Sequence, residues 1–228
     1  MQIAEIFYSI QGEGRLLGVP SAFVRTSGCN LRCRWCDSPY TSWQPHGERL
    51  AVAEILDRLA AFPTRHVVVT GGEPLLAPEV EDLCAGLRRA GYHITVETAA
   101  TVFRPVECDL ASLSPKLANS TPWDRDSGRL AEWHEGLRLQ PEVLRGFVAR
   151  YDYQLKFVID RPEDMAEVQA LLGQLPGVDR SRVLLMPQGI TREELAERGP
   201  WLAEECKRHG FRYCPRLHIE LYGNQRGR

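Results

Sequence analysis

Residues 21–37, Ser-Ala-Phe-Val-Arg-Thr-Ser-Gly-Cys-Asn-Leu-Arg-Cys-Arg-Trp-Cys-Asp, set a short apolar run directly before three closely spaced cysteines. Ser21–Thr26 has the length and the aromatic and β-branched content of a buried strand, with turn residues on either side. Working outward, five further runs read the same way: His66–Thr70 (HVVVT), His93–Thr98 (HITVET), Asp109–Leu113 (DLASL), Gln154–Ile159 (QLKFVI) and Val183–Met186 (VLLM). Between them, Ala51–Ala61, Glu79–Ala90, Arg161–Leu172 and Thr191–Arg208 carry helical spacing. In the third of these, Met165, Val168 and Leu172 recur on one face, and Asp160 with Glu163 has the pattern of a capping pair. Thr191 with Glu194 repeats that pattern, and Pro200 is expected to kink or break the fourth helix. Strands alternating with helices imply a mainly parallel sheet, either open or curled into a barrel.

The chain has 228 residues, enough for one full domain at about 150 residues each. Lys plus Arg is 28 against 30 for Asp plus Glu, a net charge of −2 that argues against a general nucleic-acid binder. No run approaches the roughly 18 apolar residues of a membrane span. The opening MQIAEIFYSIQGEG has no basic, apolar or cleavage region of an export signal. Seven cysteines, an odd number without such a signal, argue for reduced thiols and a cytoplasmic location. Residues 1–228 read as a single domain, with the polar, turn-rich stretch 117–136 as an excursion from the core. The tail Gly223–Arg228 is expected to be mobile, with Arg226 and Arg228 solvated.

Polar motifs follow the strands. The cysteines come after Ser21–Thr26, Thr70-Gly71-Gly72-Glu73-Pro74 closes the next strand, and Glu97-Thr98 ends the third. Ser114-Pro115-Lys116 and Pro187-Gln188-Gly189 follow two others. In α/β folds the carboxyl ends of parallel strands form the active face, so these clusters describe one site built from distant segments. The Cys29-x3-Cys33-x2-Cys36 loop can hold three corners of a cubane iron–sulfur cluster, leaving the fourth iron open. Structural zinc is the rival, although it wants four closed ligands and the other cysteines form no second pair. Simple burial of the three cysteines is the third reading. Arg25, alone in an apolar strand, needs a partner, because an unpaired buried guanidinium is costly; a ligand carboxylate would supply one.

GCNLRCRWCD resembles the cluster loop of the radical S-adenosylmethionine superfamily. The resemblance implies a [4Fe–4S] cluster on Cys29, Cys33 and Cys36, with S-adenosylmethionine chelating the open iron. It also implies cofactor contacts from Trp35 at the adenine, Gly72 and Glu73 at the methionyl amine, and Glu97, Ser114, Pro115, Lys116 and Gln188 near the ribose and carboxylate. EIFYSIQGEG, FVRTSGCN and CDSPY further resemble the 7-carboxy-7-deazaguanine synthase family of queuosine and deazapurine biosynthesis. That likeness implies ring contraction of 6-carboxy-5,6,7,8-tetrahydropterin with loss of ammonia. Ile10, Gln11, Gly12 and Thr70 would then meet the pterin, Arg25 its carboxylate, and Ser38 a Mg²⁺ ion. In Glu97-Thr98-Ala99-Ala100-Thr101 an alanine replaces the glycine common after Glu-Thr.

The family fold is an α/β, incomplete and modified TIM-type barrel of mainly parallel strands with flanking helices. A homodimer and an electron donor such as flavodoxin are also implied, with no nucleic-acid or membrane partner. Two alternatives were weighed against this reading. One is a glycyl-radical enzyme activase, which has no evident use for Gln11, Arg25 and Ser38. The other is a zinc-stabilised nucleic-acid-binding module, which the missing second cysteine pair and the acidic balance disfavour.

Overall fold

The computed structural model describes residues 1–125 and 128–228. Nine strands form one sheet: β1 (Gln2–Ile10), β2 (Pro20–Thr26), β3 (Glu48–Arg49), β4 (His66–Gly71), β5 (His93–Thr98), β6 (Leu110–Leu113), β7 (Tyr153–Ile159), β8 (Val183–Pro187) and β9 (Arg212–Tyr213). Their order is β3-β1-β2-β4-β5-β6-β7-β8-β9. β1 runs antiparallel to both β2 and β3. From β2 to β9 every pairing is parallel. The sheet curls but does not close, with β3 and β9 as its edges, which is the incomplete barrel expected.

The helices are α1 (Pro39–Ser42), α2 (Val52–Ala60), α3 (Val80–Arg89), α4 (Arg129–Leu137), α5 (Pro141–Arg150), α6 (Asp164–Gly173), α7 (Arg192–His209) and α8 (Leu217–Tyr222). Central parallel strands read as apolar runs because both of their faces are covered. Val67, Val69, Ile94, Val96, Leu155, Phe157 and Leu185 face a layer made by Leu83 and Leu87 of α3, Phe147 of α5, Val168 of α6 and Leu202 of α7. That layer anchors the amino-terminal and middle parts of the strands and leaves their carboxyl ends free to present side chains.

Several local expectations are corrected. β1 was not anticipated; it is half-buried and has no uninterrupted apolar run. α4 and α5 were also missed, because α4 buries only Ala131 and His134, and α5 only Leu144 and Phe147. α7 runs unbroken through Pro200, held by the Thr191–Glu194 capping box at one end and left-handed Gly210 at the other. Asp160 does not cap α6; Asp164 Oδ2 instead takes the amides of Asp160 at 2.8 Å and Arg161 at 3.1 Å. Positions 126 and 127 of the expected excursion lie outside the described residues. The part of that stretch just after β6 sits behind the cysteines: Ser120 O accepts from Arg34 N at 2.8 Å, and Asn119 O from Trp35 Nε1 at 3.0 Å.

Candidate active site

A cavity of about 320 Å³ opens at the carboxyl ends of the parallel strands. The cysteine loop forms one wall. Cys29, Trp35 and Cys36 line the cavity, while Cys33, 8% exposed, packs with Cys29 and Cys36 behind it. The turn after β4 grips this loop: Glu73 N donates to Gly28 O at 2.9 Å. Gly72 must lack a side chain there, since a Cβ would lie 2.2 Å from Gly28 O. Trp43 Nε1 donates to Cys33 O at 3.0 Å on the far side.

Burial pushes the Cys29 and Cys33 thiols up to about 12, and raises Cys36 as well. Thiolates at these positions therefore need a cationic group beside them. Three soft donors on one loop, each free to serve a different iron, fit a cubane cluster. A structural zinc site wants four closed ligands, and Cys84 and Cys206 are buried in the apolar core apart from the cysteine loop.

The rest of the lining is largely polar. Glu97 accepts from Gln11 Nε2 at 3.1 Å and from Thr70 Oγ1 at 3.0 Å, which joins β5, β4 and the loop after β1. Arg25 Nε donates to Glu5 at 2.7 Å, and Arg25 Nη1 reaches Ser38 Oγ at 3.4 Å. Ser38 in turn donates to Asp37 Oδ1 at 3.0 Å. Lys116 Nζ folds back on Ser114, at 2.9 Å from its carbonyl and 2.8 Å from its hydroxyl. Ile10, Gly12 and Gln188 also line the cavity, as does the tail from Asn224 to Arg228.

Besides Cys33, two expected residues lie outside the lining. The Glu73 carboxylate turns inward and accepts from Thr98 Oγ1 at 2.7 Å, Ala99 N at 2.9 Å and Leu75 N at 3.1 Å. Its backbone, not its side chain, serves the cysteine loop. Pro115 lies outside the lining, between Ser114 and Lys116, which both belong to it. Arg25 also differs from expectation, since Glu5 supplies the carboxylate that burial demands. Arg226 is not simply solvated: it donates to Glu5 Oε2 at 3.1 Å and lies 4.2 Å over the Tyr40 ring. The departure at Glu97–Thr101 places Ala100 at φ 55°, a left-handed conformation that a glycine adopts without cost.

Sequence reasoning missed a charge network across the cavity floor. Glu13 pairs with Lys156 of β7 and with Arg216 Nε at 3.0 Å, and Arg216 also pairs with Asp37. Burial alone raises the Glu13 carboxyl, but the charges of Lys156 and Arg216 outweigh it and hold the group well below the usual carboxylate range. Lys156 had a legible signal: a lysine inside the apolar run QLKFVI needs a buried partner for the same reason as Arg25.

Residues 23–115 match the model of the Radical SAM superfamily. A 7-carboxy-7-deazaguanine synthase of Rhodopirellula baltica is 45% identical over 99% of this chain and 88% of its own length. The chain belongs to the 7-carboxy-7-deazaguanine synthase family. A 7-carboxy-7-deazaguanine synthase of Halobacterium salinarum is 44% identical, over 98% of this chain and 91% of its own. The crystal structure of QueE from Escherichia coli shares the fold, with a TM-score of 0.72, 24% identity and coverage of 95% and 94% of the two chains. Membership in the 7-carboxy-7-deazaguanine synthase family makes the chain a radical S-adenosylmethionine enzyme with an iron–sulfur cluster, and sets aside both the activase and the zinc-module readings. No helix among the described residues is long and apolar enough to cross a membrane.

Proposed function

We propose that this chain converts 6-carboxy-5,6,7,8-tetrahydropterin to 7-carboxy-7-deazaguanine with loss of ammonia, in a single domain spanning 1–228. One observation supports the residue assignment: Cys29 and Cys36 of the cysteine loop and Gln11, Arg25 and Ser38 line one and the same cavity of about 320 Å³. Cys29, Cys33 and Cys36 hold the [4Fe–4S] cluster. Trp35, Gly72, Ser114, Lys116 and Gln188 hold S-adenosylmethionine, with the backbone at Glu73 aligning the turn. Glu97 serves this cofactor and fixes Gln11 and Thr70 at the pterin.

When bound, the reduced cluster and S-adenosylmethionine would supply reversible hydrogen-atom abstraction chemistry at the substrate. The protein's part is orientation and the exclusion of water. Arg25, anchored by Glu5, turns the other end of its guanidinium toward the substrate carboxylate. Ser38 offers a hard oxygen ligand that would hold a Mg²⁺ ion, whose charge would help bind a carboxylate. Ile10 and Gly12 form the edge of the pterin slot. The active form is a homodimer in the cytoplasm, reduced by a small electron-transfer protein such as flavodoxin.

An anaerobic assay tests the reading. The ring contraction needs no net oxidation, so each S-adenosylmethionine can serve several turnovers. Product should exceed released 5′-deoxyadenosine several-fold. A one-to-one ratio, after correction for uncoupled cleavage, overturns the assignment.

A further inference from the structure

Arg216 lies between β9 and α8 and is 6% exposed. Its guanidinium reaches three segments far apart in the chain. Nε donates to Glu13 at 3.0 Å in the loop after β1, and Nη1 to Gly189 O at 2.6 Å in the loop after β8. Nη2 donates to Asp37, the residue directly after Cys36. The surrounding segment is fastened to the same β1–β2 loop twice more, by Leu217 N on Gly12 O at 2.9 Å and Gly14 N on Cys214 Sγ at 3.1 Å. His218 presses on Gly12 so closely that a Cβ there would fall 2.1 Å from its Nδ1.

Resting on the reading above, in which the cluster sits on the cysteine loop and the pterin on Gln11–Gly12, the geometry points to Arg216 as the positioning residue that fixes the spacing between those two loops. It acts through Glu13 on one side and Asp37 on the other. A planar guanidinium suits this task, because its donors point in fixed directions. The spacing matters because a misplacement of about 1 Å can cost roughly 100-fold in rate. With the two loops misplaced, cleavage of S-adenosylmethionine would become uncoupled from the substrate. The result is 5′-deoxyadenosine without product.

The test uses reconstituted holoenzyme carrying Arg216→Gln or Asp37→Asn. Two quantities are read: product formed per 5′-deoxyadenosine, and deuterium exchange of segments 10–18 and 28–38. In Arg216→Gln, which removes the charged contacts to both Glu13 and Asp37, the ratio should fall at least about tenfold, roughly 1.4 kcal/mol. Exchange should rise in both segments together. Asp37→Asn, which alters a half-exposed side chain, should lower the ratio by a smaller factor. A purely structural role would lower the yield of active enzyme at an unchanged ratio, and that result overturns the proposal. If Arg216→Gln does not fold, an unchanged ratio in Asp37→Asn overturns it alone. Should the unaltered chain make no product, the functional reading fails. The exchange result then still decides for Arg216, and a rise confined to one loop counts against it.

Discussion

The Arg25 guanidinium and the Glu5 carboxylate are joined at 2.7 Å, and Glu5 also accepts a hydrogen bond from the Tyr40 hydroxyl at 2.6 Å. The guanidinium is anchored by Nε on Glu5 and by Nη1 on Ser38 at 3.4 Å, and Arg25 lines the cavity. Burial without a partner would lower the Arg25 pKa; Tyr40, Glu5 and Asp37 reverse that, and the group stays charged. A charged fork held from behind is preorganised for an incoming carboxylate.

Arg25→Ala is therefore expected to weaken pterin binding at least tenfold, about 1.5–3 kcal/mol for a charged hydrogen-bonded contact, with S-adenosylmethionine affinity nearly unchanged. Calorimetric titration with each ligand checks this. Equal loss for both ligands would assign Arg25 to the fold instead.

Changing Cys29, Cys33 or Cys36 to Ala should abolish the cluster, measured as anaerobic iron and sulfide content. The same change at Cys84, Cys108 or Cys206 should leave both at the unaltered level. Cys84 and Cys206 are buried in the apolar core, away from the cavity lining. Cys214 accepts the Gly14 amide, so Cys214→Ala should retain iron while loosening the loop after β1.

Ser38→Ala should reduce the stimulation of turnover by Mg²⁺ while leaving iron content intact. Ser38 is buried between Arg25 and Asp37, and a hard cation prefers an oxygen ligand of this kind. An unaltered Mg²⁺ dependence in the variant would remove Ser38 from the metal assignment.

Acid should loosen the support behind the cysteine loop through His134. Its Nδ1 accepts the Arg32 amide at 3.1 Å, and its Nε2 lies 2.8 Å from Ser120 Oγ. Burial holds this imidazole down at about 4 against an ordinary 6.5. A depressed histidine favours the folded state above the unfolded pKa, and that contribution is lost as pH falls from about 6.5 to 4. The loss amounts to about 3 kcal/mol. Urea unfolding of the unaltered chain should show this decline, and His134→Asn should flatten it. Equal slopes in the two proteins would exclude His134 as the titrating group.

The central strands were legible because parallel sheets covered on both faces demand unbroken apolar runs. β1 was not, because an antiparallel strand with one partly open face keeps polar positions among its apolar ones. The same physics explains the site. Cysteine spacing and strand-end turns are local signals, and they placed Cys29, Trp35, Gly72 and Ser114 around one cavity. Glu5 and Arg216 depend on pairing across the whole chain, which no local spacing reveals. Lys156 lay between these cases: the charge was visible within an apolar strand, but its partner Glu13 was not. Pro200 shows the limit of a local rule, since two good caps and the buried Leu202 keep α7 continuous across it.

The contact between Arg216 and Glu13 joins residues 203 positions apart. Closing so long a loop costs about 5 kcal/mol of chain entropy before any reward is collected. Pairing of β4 with β5 joins residues 27 positions apart (His66 with His93) and costs about 3 kcal/mol on the same scale. The floor of the cavity should therefore assemble after the sheet, late on the folding pathway, and be the first region to open in the native ensemble. Ligands that bridge its walls would then slow that opening far more than they slow global unfolding, so occupancy would govern proteolytic lifetime through this one corner of the molecule.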